Sequence, residues 1–368
     1  MKKVNLGIAQ NKFDQIQQRS ENVLHLSIAK LVGHIENPTT YPMTGDNKSI
    51  ERALFNHYNI LAKSEQKDFI NRIKKFSNIP SNTTQFQSRF GDLAKVDLKS
   101  HTSVAEQIKS IAVPDSLKFT ASEIDELEKK LLKKRVGAKS TPVTKQPAVV
   151  APRLIRLTVE SIHCTNTVEL KKDEILMNAL FTDALGVSTT IDLVDVGKMK
   201  DGETINLGAK GIIAEVNLNN AGFFPQTLIG TFTLIDKDVF ADQEKIVSAF
   251  RTCAIIATTL TSIALISMGV AIAVAATPGG MAAAAGIMTG ALIAMVGSLV
   301  ILVVGGGITL ALQGETSDLI KDEFVFDLNP VTLQPGEFVT RVLNVEIPRS
   351  IGKKSGNYTM TIKWERIS

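Results

Sequence analysis

Residues 252–314 read TCAIIATTLTSIALISMGVAIAVAATPGGMAAAAGIMTGALIAMVGSLVILVVGGGITLALQG. None of these 63 residues is Asp, Glu, Lys, Arg or His, although charged residues make up 21% of the 368-residue chain. A bilayer-spanning helix needs about 20 apolar residues. Cys253–Ala275 supplies 23 and Met281–Val304 supplies 24. At about 1.5 Å per residue the first arm is about 34 Å long. Thr277-Pro278-Gly279-Gly280 stands between the arms and is punctuation for a turn. The stretch therefore predicts a hydrophobic, transmembrane-type helical hairpin.

The composition also says which kind of membrane segment this is. A β-barrel hairpin alternates lipid-facing and lumen-facing residues, whereas Ala271–Ala276 and Leu299–Val304 are apolar at every position. Gly286 and Gly290 form a GxxxG, with Gly297 seven residues on, and such spacing permits close helix–helix approach. Gly305-Gly306-Gly307 should break the second arm and leave Ile308–Leu312 as a tail. The residues expected to enter lipid are Cys253, Ile256, Leu260, Leu265, Val270 and Ala275 on the first arm. Pro278, Gly279 and Gly280 form the tip, and Gly286, Gly290, Leu292, Gly297, Leu302 and Gly305 mark the second arm. Lys245 and Arg251 precede the hairpin and Lys321 follows it. An uncharged tip crosses a bilayer first, and the flanking cations stay on the side of entry.

Working outward, the segments on both sides read as strands. Leu154–Ile162 is β-branched and partly alternating. Further strand patterns occupy 187–196, 203–207, 211–218 and 227–235, separated by turns such as Lys200-Asp201-Gly202 and Asn219-Asn220-Ala221-Gly222. Past the apolar segment, strands resume at Phe324–Leu328, Phe338–Ile347 and Tyr358–Ile367. About eight strands interrupted by one insertion predict an antiparallel β-sandwich, spanning 153–240 and 323–368.

Residues 1–137 read as a helical domain. Phe13, Ile16, Val23, Leu24, Ile28 and Leu31 recur at helical spacing. Ser49 can cap a helix with Ile50, Leu54, Tyr58 and Leu61 on one face. Ser64 can cap another that stops near Ile79-Pro80. Thr120-Ala121-Ser122-Glu123 is a capping box followed by Ile124, Leu127 and Leu131, with acids first and bases last, an order that suits the helix dipole. Residues 138–152 hold three prolines and no apolar period, and are read as a linker. The fold class is thus multidomain α+β: an N-terminal helical domain and an antiparallel β-sandwich with an inserted hydrophobic helical hairpin.

Charge is uneven along the chain. Residues 1–152 carry 24 Lys+Arg against 15 Asp+Glu, and the remainder carries 17 against 22. The basic half can meet an anionic surface, or can serve only to keep the domain soluble. No Arg/Lys run is interleaved with aromatics as single-strand binders require, so no nucleic-acid partner is expected. The two cysteines, Cys164 and Cys253, predict neither a disulfide framework nor a zinc site. Lys2 and Lys3 are not followed by an apolar core, because Asn11, Lys12, Asp14 and Gln15 interrupt it, so no cleaved export signal is expected. The motifs GxSxG, P-loop, GxGxxG and HExxH are absent. The five histidines are scattered, and Asp192, Asp195, Asp201 and Glu203 fit surface acids better than a calcium loop. Neither catalytic residues, nor a metal, nor a cofactor is expected.

The apolar hairpin is similar in kind to the one buried in pore-forming colicins. The likeness is architectural, covers about one sixth of the chain and carries over no individual residue. It implies a pore-forming toxin or effector that is stored soluble in the cytoplasm of the producing cell, then secreted or injected into a target bilayer. The partners expected are that bilayer and a shielding partner, chaperone or delivery apparatus such as a contractile injection system. Oligomerisation on insertion is also expected, because two helices cannot enclose a wide pore. The alternative is a resident inner-membrane protein with two spans, whose cytoplasmic β domain serves as an adaptor.

Overall fold

The computed structural model describes residues 2–77, 83–118, 120, 123, 154–167, 172–182, 187–217, 226–236, 243–267, 322–328, 338–347 and 356–367. Helices and antiparallel sheets share the chain, which is α+β. It divides into two units, each assembled from separated stretches. A helical unit takes residues 1–136, 186–188 and 248–313, and a β unit takes 137–185, 189–247 and 314–368.

The helical unit is organised by α1 (Lys2–Glu36), with α2 (Ile50–Ile60), α3 (Lys63–Ser77), α4 (Thr83–Phe90) and α5 (Val104–Lys109). Helices α2, α3 and α5 pack on α1. Val23, Leu24, Leu26, Ile28 and Leu31 of α1 are all buried, and within residues 19–31 only a stripe through Glu21, His25 and Ala29 is partly accessible. A helix surrounded in this way needs no single apolar stripe. Its buried cation is satisfied by backbone: Lys30 Nζ donates to the Ser100 and Thr102 carbonyls at 2.7 and 2.5 Å. The Glu51 carboxylate of α2 accepts the Val104 N–H at 2.7 Å, closing the first turn of α5. Burial pushes the Lys30 ammonium down and the Glu51 carboxyl up, with each charge partly offsetting the other's shift.

Ser49 caps α2 as its position in the sequence requires, accepting the Arg52 N–H at 3.2 Å. Ser64 does not cap α3. That helix begins at Lys63, and the Glu65 carboxylate instead accepts the Ala62 N–H at 2.6 Å. A carboxylate reaching back to the residue before the helix satisfies an orphan donor as well as a cap hydroxyl would. Thr120 and Glu123 adopt the reciprocal capping-box contacts, at 2.8 Å for Thr120 N–H to Glu123 Oε2 and 3.4 Å for Glu123 N–H to Thr120 Oγ1. The helix expected behind them and the linker at 138–152 lie outside the described residues.

The β unit holds ten described strands: β1 (Leu154–Asn166), β2 (Asp173–Thr182), β3 (Ser188–Thr190), β4 (Val194–Met199), β5 (Thr204–Asn206), β6 (Ile212–Asn217), β7 (Gln226–Asp236), β8 (Asp322–Leu328), β9 (Phe338–Ile347) and β10 (Gly356–Arg366). They form two five-stranded sheets. In one, β1 pairs with β10, which pairs with β9, and the short β5 and β6 lie end to end along the other edge of β1. In the other, β2 pairs with β7, which pairs with β8, and β3 and β4 lie along the other edge of β2. The stretch expected as one strand at 187–196 is thus the two short strands β3 and β4. Strand β2, which the sequence reading left out, is central to its sheet.

One hydrophobic cluster draws on both sheets. It includes Ile155, Leu157, Val159 and Ile162 of β1, Met360, Ile362 and Trp364 of β10, Ile175, Met177 and Phe181 of β2, and Phe232 and Leu234 of β7. Tyr358 of β10 donates its buried hydroxyl to the Asp173 carboxylate of β2, a polar tie from one sheet to the other. Burial raises the Tyr358 hydroxyl further, and the neighbouring Cys164 thiol is pushed up to about 12, chiefly by burial. Cys164 and Cys253 are both buried, and neither is in a disulfide.

Strands β7 and β8 are antiparallel neighbours, in register from Gln226↔Leu328 to Phe232↔Asp322. Residues 237–321 therefore leave the end of one strand and return to the strand beside it.

Candidate membrane-inserting helix

Residues 237–321 contain α6, Gln243–Ser267. The helix starts ahead of the apolar run, so Lys245 and Arg251 are part of it rather than flanks to it. Nothing in Gln243–Ser267 breaks a helix: it contains no Gly or Pro. Among the described residues, α6 is the one helix long and apolar enough to cross a membrane, over Gln243–Ala264. Those 22 residues measure about 33 Å, against a hydrocarbon core of about 30 Å.

From Ser248 onward α6 belongs to the helical unit. Cys253, Ile256, Ala257, Leu260, Ile263 and Ala264 are buried at helical spacing. Ile255, Thr258, Thr259, Ser262 and Ile266 form the less covered stripe, and Arg251 is exposed. The helix thus has a sided character that a count of charges does not reveal, and its covered face also carries the hydroxyls of Thr252, Thr261 and Ser267. Removing Ile256, Leu260 and Ile263 from water stabilises this packing by roughly 1.5–3 kcal/mol each.

Two polar contacts fasten the near end of α6 to α2. His57 Nδ1 lies 3.1 Å from Ser248 Oγ, and Thr252 donates its hydroxyl to the Ala53 carbonyl at 3.3 Å. Going one turn up α6 means going one turn down α2, so the two helices run antiparallel where they touch. His57 is wholly buried and packs on Phe69 of α3, with ring centroids 5.8 Å apart. At the far end, Ile263, Ile266 and Ser267 share a small crevice with Arg19 of α1 and Ile108, Lys109 and Val113. Arg19 is paired with Asp92 at 2.5 Å, yet its Nε has no partner. Thr261 Oγ1, fully buried, has none either.

Of the residues expected to insert, Cys253, Ile256 and Leu260 are on the covered face of α6, and Leu265 lies on the same helix. Val270, Ala275, Pro278, Gly279, Gly280, Gly286, Gly290, Leu292, Gly297, Leu302 and Gly305 lie outside the described residues, as do the turn and second arm of the expected hairpin. Ser248, Thr252, Ala53 and His57 escaped the sequence reading. His57 could have been found, because it lies on the apolar stripe of α2 with Ile50, Leu54 and Leu61. Two of the acids weighed as calcium ligands serve turns. Asp201 accepts from the Thr167 N–H and hydroxyl at 2.6 and 2.8 Å, and Glu203 accepts the Lys200 N–H at 2.9 Å. Among the described residues no group of three or more His, Cys, Asp or Glu is placed to hold a metal ion.

No protein-family model, curated protein or solved structure matches this chain.

Proposed function

We propose that this chain is a membrane-permeabilising effector whose 252–314 segment is stored folded away and inserted as a helical hairpin into a target bilayer. The observation that carries this reading is α6: a helix of bilayer length, opening a stretch of 63 residues without an ionisable side chain, is packed by its aliphatic face inside the helical unit. Length and composition alone are shared with core helices of water-soluble domains. The uncharged run that continues from α6 through residue 314 is what favours lipid as the final solvent. The hydroxyls of α6 are compatible with that solvent, because Ser and Thr in a helix can bond the carbonyl one turn back.

In this reading the two sheets form a sandwich that anchors both ends of the excursion at β7 and β8. The sandwich stays outside the bilayer, several copies assemble, and the basic N-terminal half attends to the anionic surface. In this reading a delivery apparatus carries the polypeptide to its target.

Purified protein mixed with dye-loaded anionic phospholipid vesicles, at neutral and mildly acidic pH, tests the proposal. Dye release accompanied by protection of 253–312 from aqueous quenchers is expected. Vesicles that neither bind the protein nor leak would end it. A carbonate-resistant membrane pellet in the producing cell, with no soluble pool, would favour the two-span resident protein instead.

A further inference from the structure

We propose that the Ala53–His57 edge of α2 is the catch that holds α6 out of the bilayer. The inference rests on the reading above and identifies the shielding surface. Two hydrogen-bond contacts, Ser248 with His57 and Thr252 with Ala53, join α6 to α2, and they fall one turn apart on a single seam. The other buried residues of α6 near them, Ile246, Ala249, Phe250, Cys253 and Ile256, are apolar, so these bonds fix the register in which α6 is stored.

Helix α2 is built to stay behind. Ser49 caps it, Arg52 donates to the Thr44 carbonyl at 3.1 and 2.7 Å, and Glu51 holds the Val104 N–H. Its His57 and Tyr58 rings also pack, tilted, against Phe69 of α3. Farther along α6, Thr258 Oγ1 accepts the Ser188 N–H at 2.8 Å, while the buried Thr261 hydroxyl and the Arg19 Nε are left without partners. When α6 departs, acyl chains replace the contacts of its aliphatic face. Ser248 and Thr252 can turn to their own helix carbonyls, and water reaches His57 and the Ala53 carbonyl. No polar group is then stranded, so the seam can open without a large penalty. A catch of hydrogen bonds yields to water, whereas an all-aliphatic seam gives water no foothold.

The test uses full-length protein with Cys164 and Cys253 replaced by alanine and cysteines placed by His57→Cys and Ser248→Cys, bridged or not with dibromobimane. The probe is dye-loaded vesicles of phosphatidylglycerol and phosphatidylcholine. The bridged protein should release dye about ten-fold more slowly than the same protein unbridged. A second variant, Ser248→Ala with Thr252→Val, removes both bonds with small changes of volume. It should release dye several-fold faster than wild type and lose hydrogen-exchange protection over 248–260 in buffer. Equal rates with and without the bridge, or unchanged protection in the double variant, overturn the catch while leaving the insertion reading intact. Failure of wild-type and unbridged protein alike to release dye, with α6 protection lost in the double variant, removes the insertion reading and shows α2 to be an ordinary packing partner.

Discussion

Thr261 is fully buried on α6 and its hydroxyl has no partner. A hydroxyl taken from water without a replacement bond weakens the fold, and an isosteric methyl removes that penalty. Thr261→Val should therefore raise the midpoint of urea unfolding, by up to about 1 kcal/mol of stability. A clear loss of stability would show that the hydroxyl has a partner in solution. Burial also bears on Cys164. Cys164 is held as a thiol by burial, beside Tyr358 and the Asp173 carboxylate, and a thiol pushed up to about 12 is a poor nucleophile at neutral pH. At this scale the sequence is legible where a residue's own periodicity declares it, as with Ser49 before α2. It is illegible where a side chain's role depends on a partner 191 positions away, as with His57 and Ser248.

Strand β2 shows how an element can hide. Its residues, DEILMNALFT, include several good helix formers, and nine of the ten are buried, so no inside–outside alternation marks a strand. A strand covered on both faces is an apolar run that periodicity cannot distinguish from a helix. Strand β10 is the opposite case: buried and partly buried residues alternate along it, and it was legible from the sequence. Strand β1 carries a bulge between Val159 and Ser161, and the chain before β6 crowds that place. A Cβ on Gly211 would stand 2.0 Å from the Val159 carbonyl oxygen, a backbone atom that cannot swing aside. Gly211→Ala should destabilise the β unit by about 1–3 kcal/mol. The single tryptophan, Trp364, is 6% exposed in that unit's core, and its fluorescence follows unfolding directly. An unchanged midpoint would mean that β6 approaches β1 less closely than the structure has it.

For the whole molecule, acid is the condition that treats the two units differently. His25 on α1 is partly buried against Phe76 and beside the Arg89 guanidinium. Burial first, and then Arg89, lowers its pKa from 6.5 to about 4. The unfolded chain therefore binds at His25 a proton that the folded ring refuses, so the stability this histidine contributes is retained above about pH 6.5 and declines as pH falls toward 4. Allowing for the accessible edge of the ring, the loss should be roughly 1–2 kcal/mol. Far-UV dichroism at 222 nm should show the helical transition moving to lower denaturant between pH 7 and pH 4, with His25→Phe blunting the shift and Trp364 fluorescence following a less affected transition. A helical midpoint that does not move with pH would rule His25 out. Taken alone, the sequence determined three things: the uncharged 63-residue stretch, the mixed helical and strand composition, and the placement of that stretch between strands. These are matters of local composition and period, which act over a few residues. Only the tertiary structure decided that the stretch leaves from β7 and returns to its paired neighbour β8, that α6 runs back through its basic residues to Gln243, and that α6 packs on α2. Those outcomes depend on contacts between residues far apart in the chain, where the free energy of packing is set by complementary shapes and hydrogen-bond partners that no local pattern records.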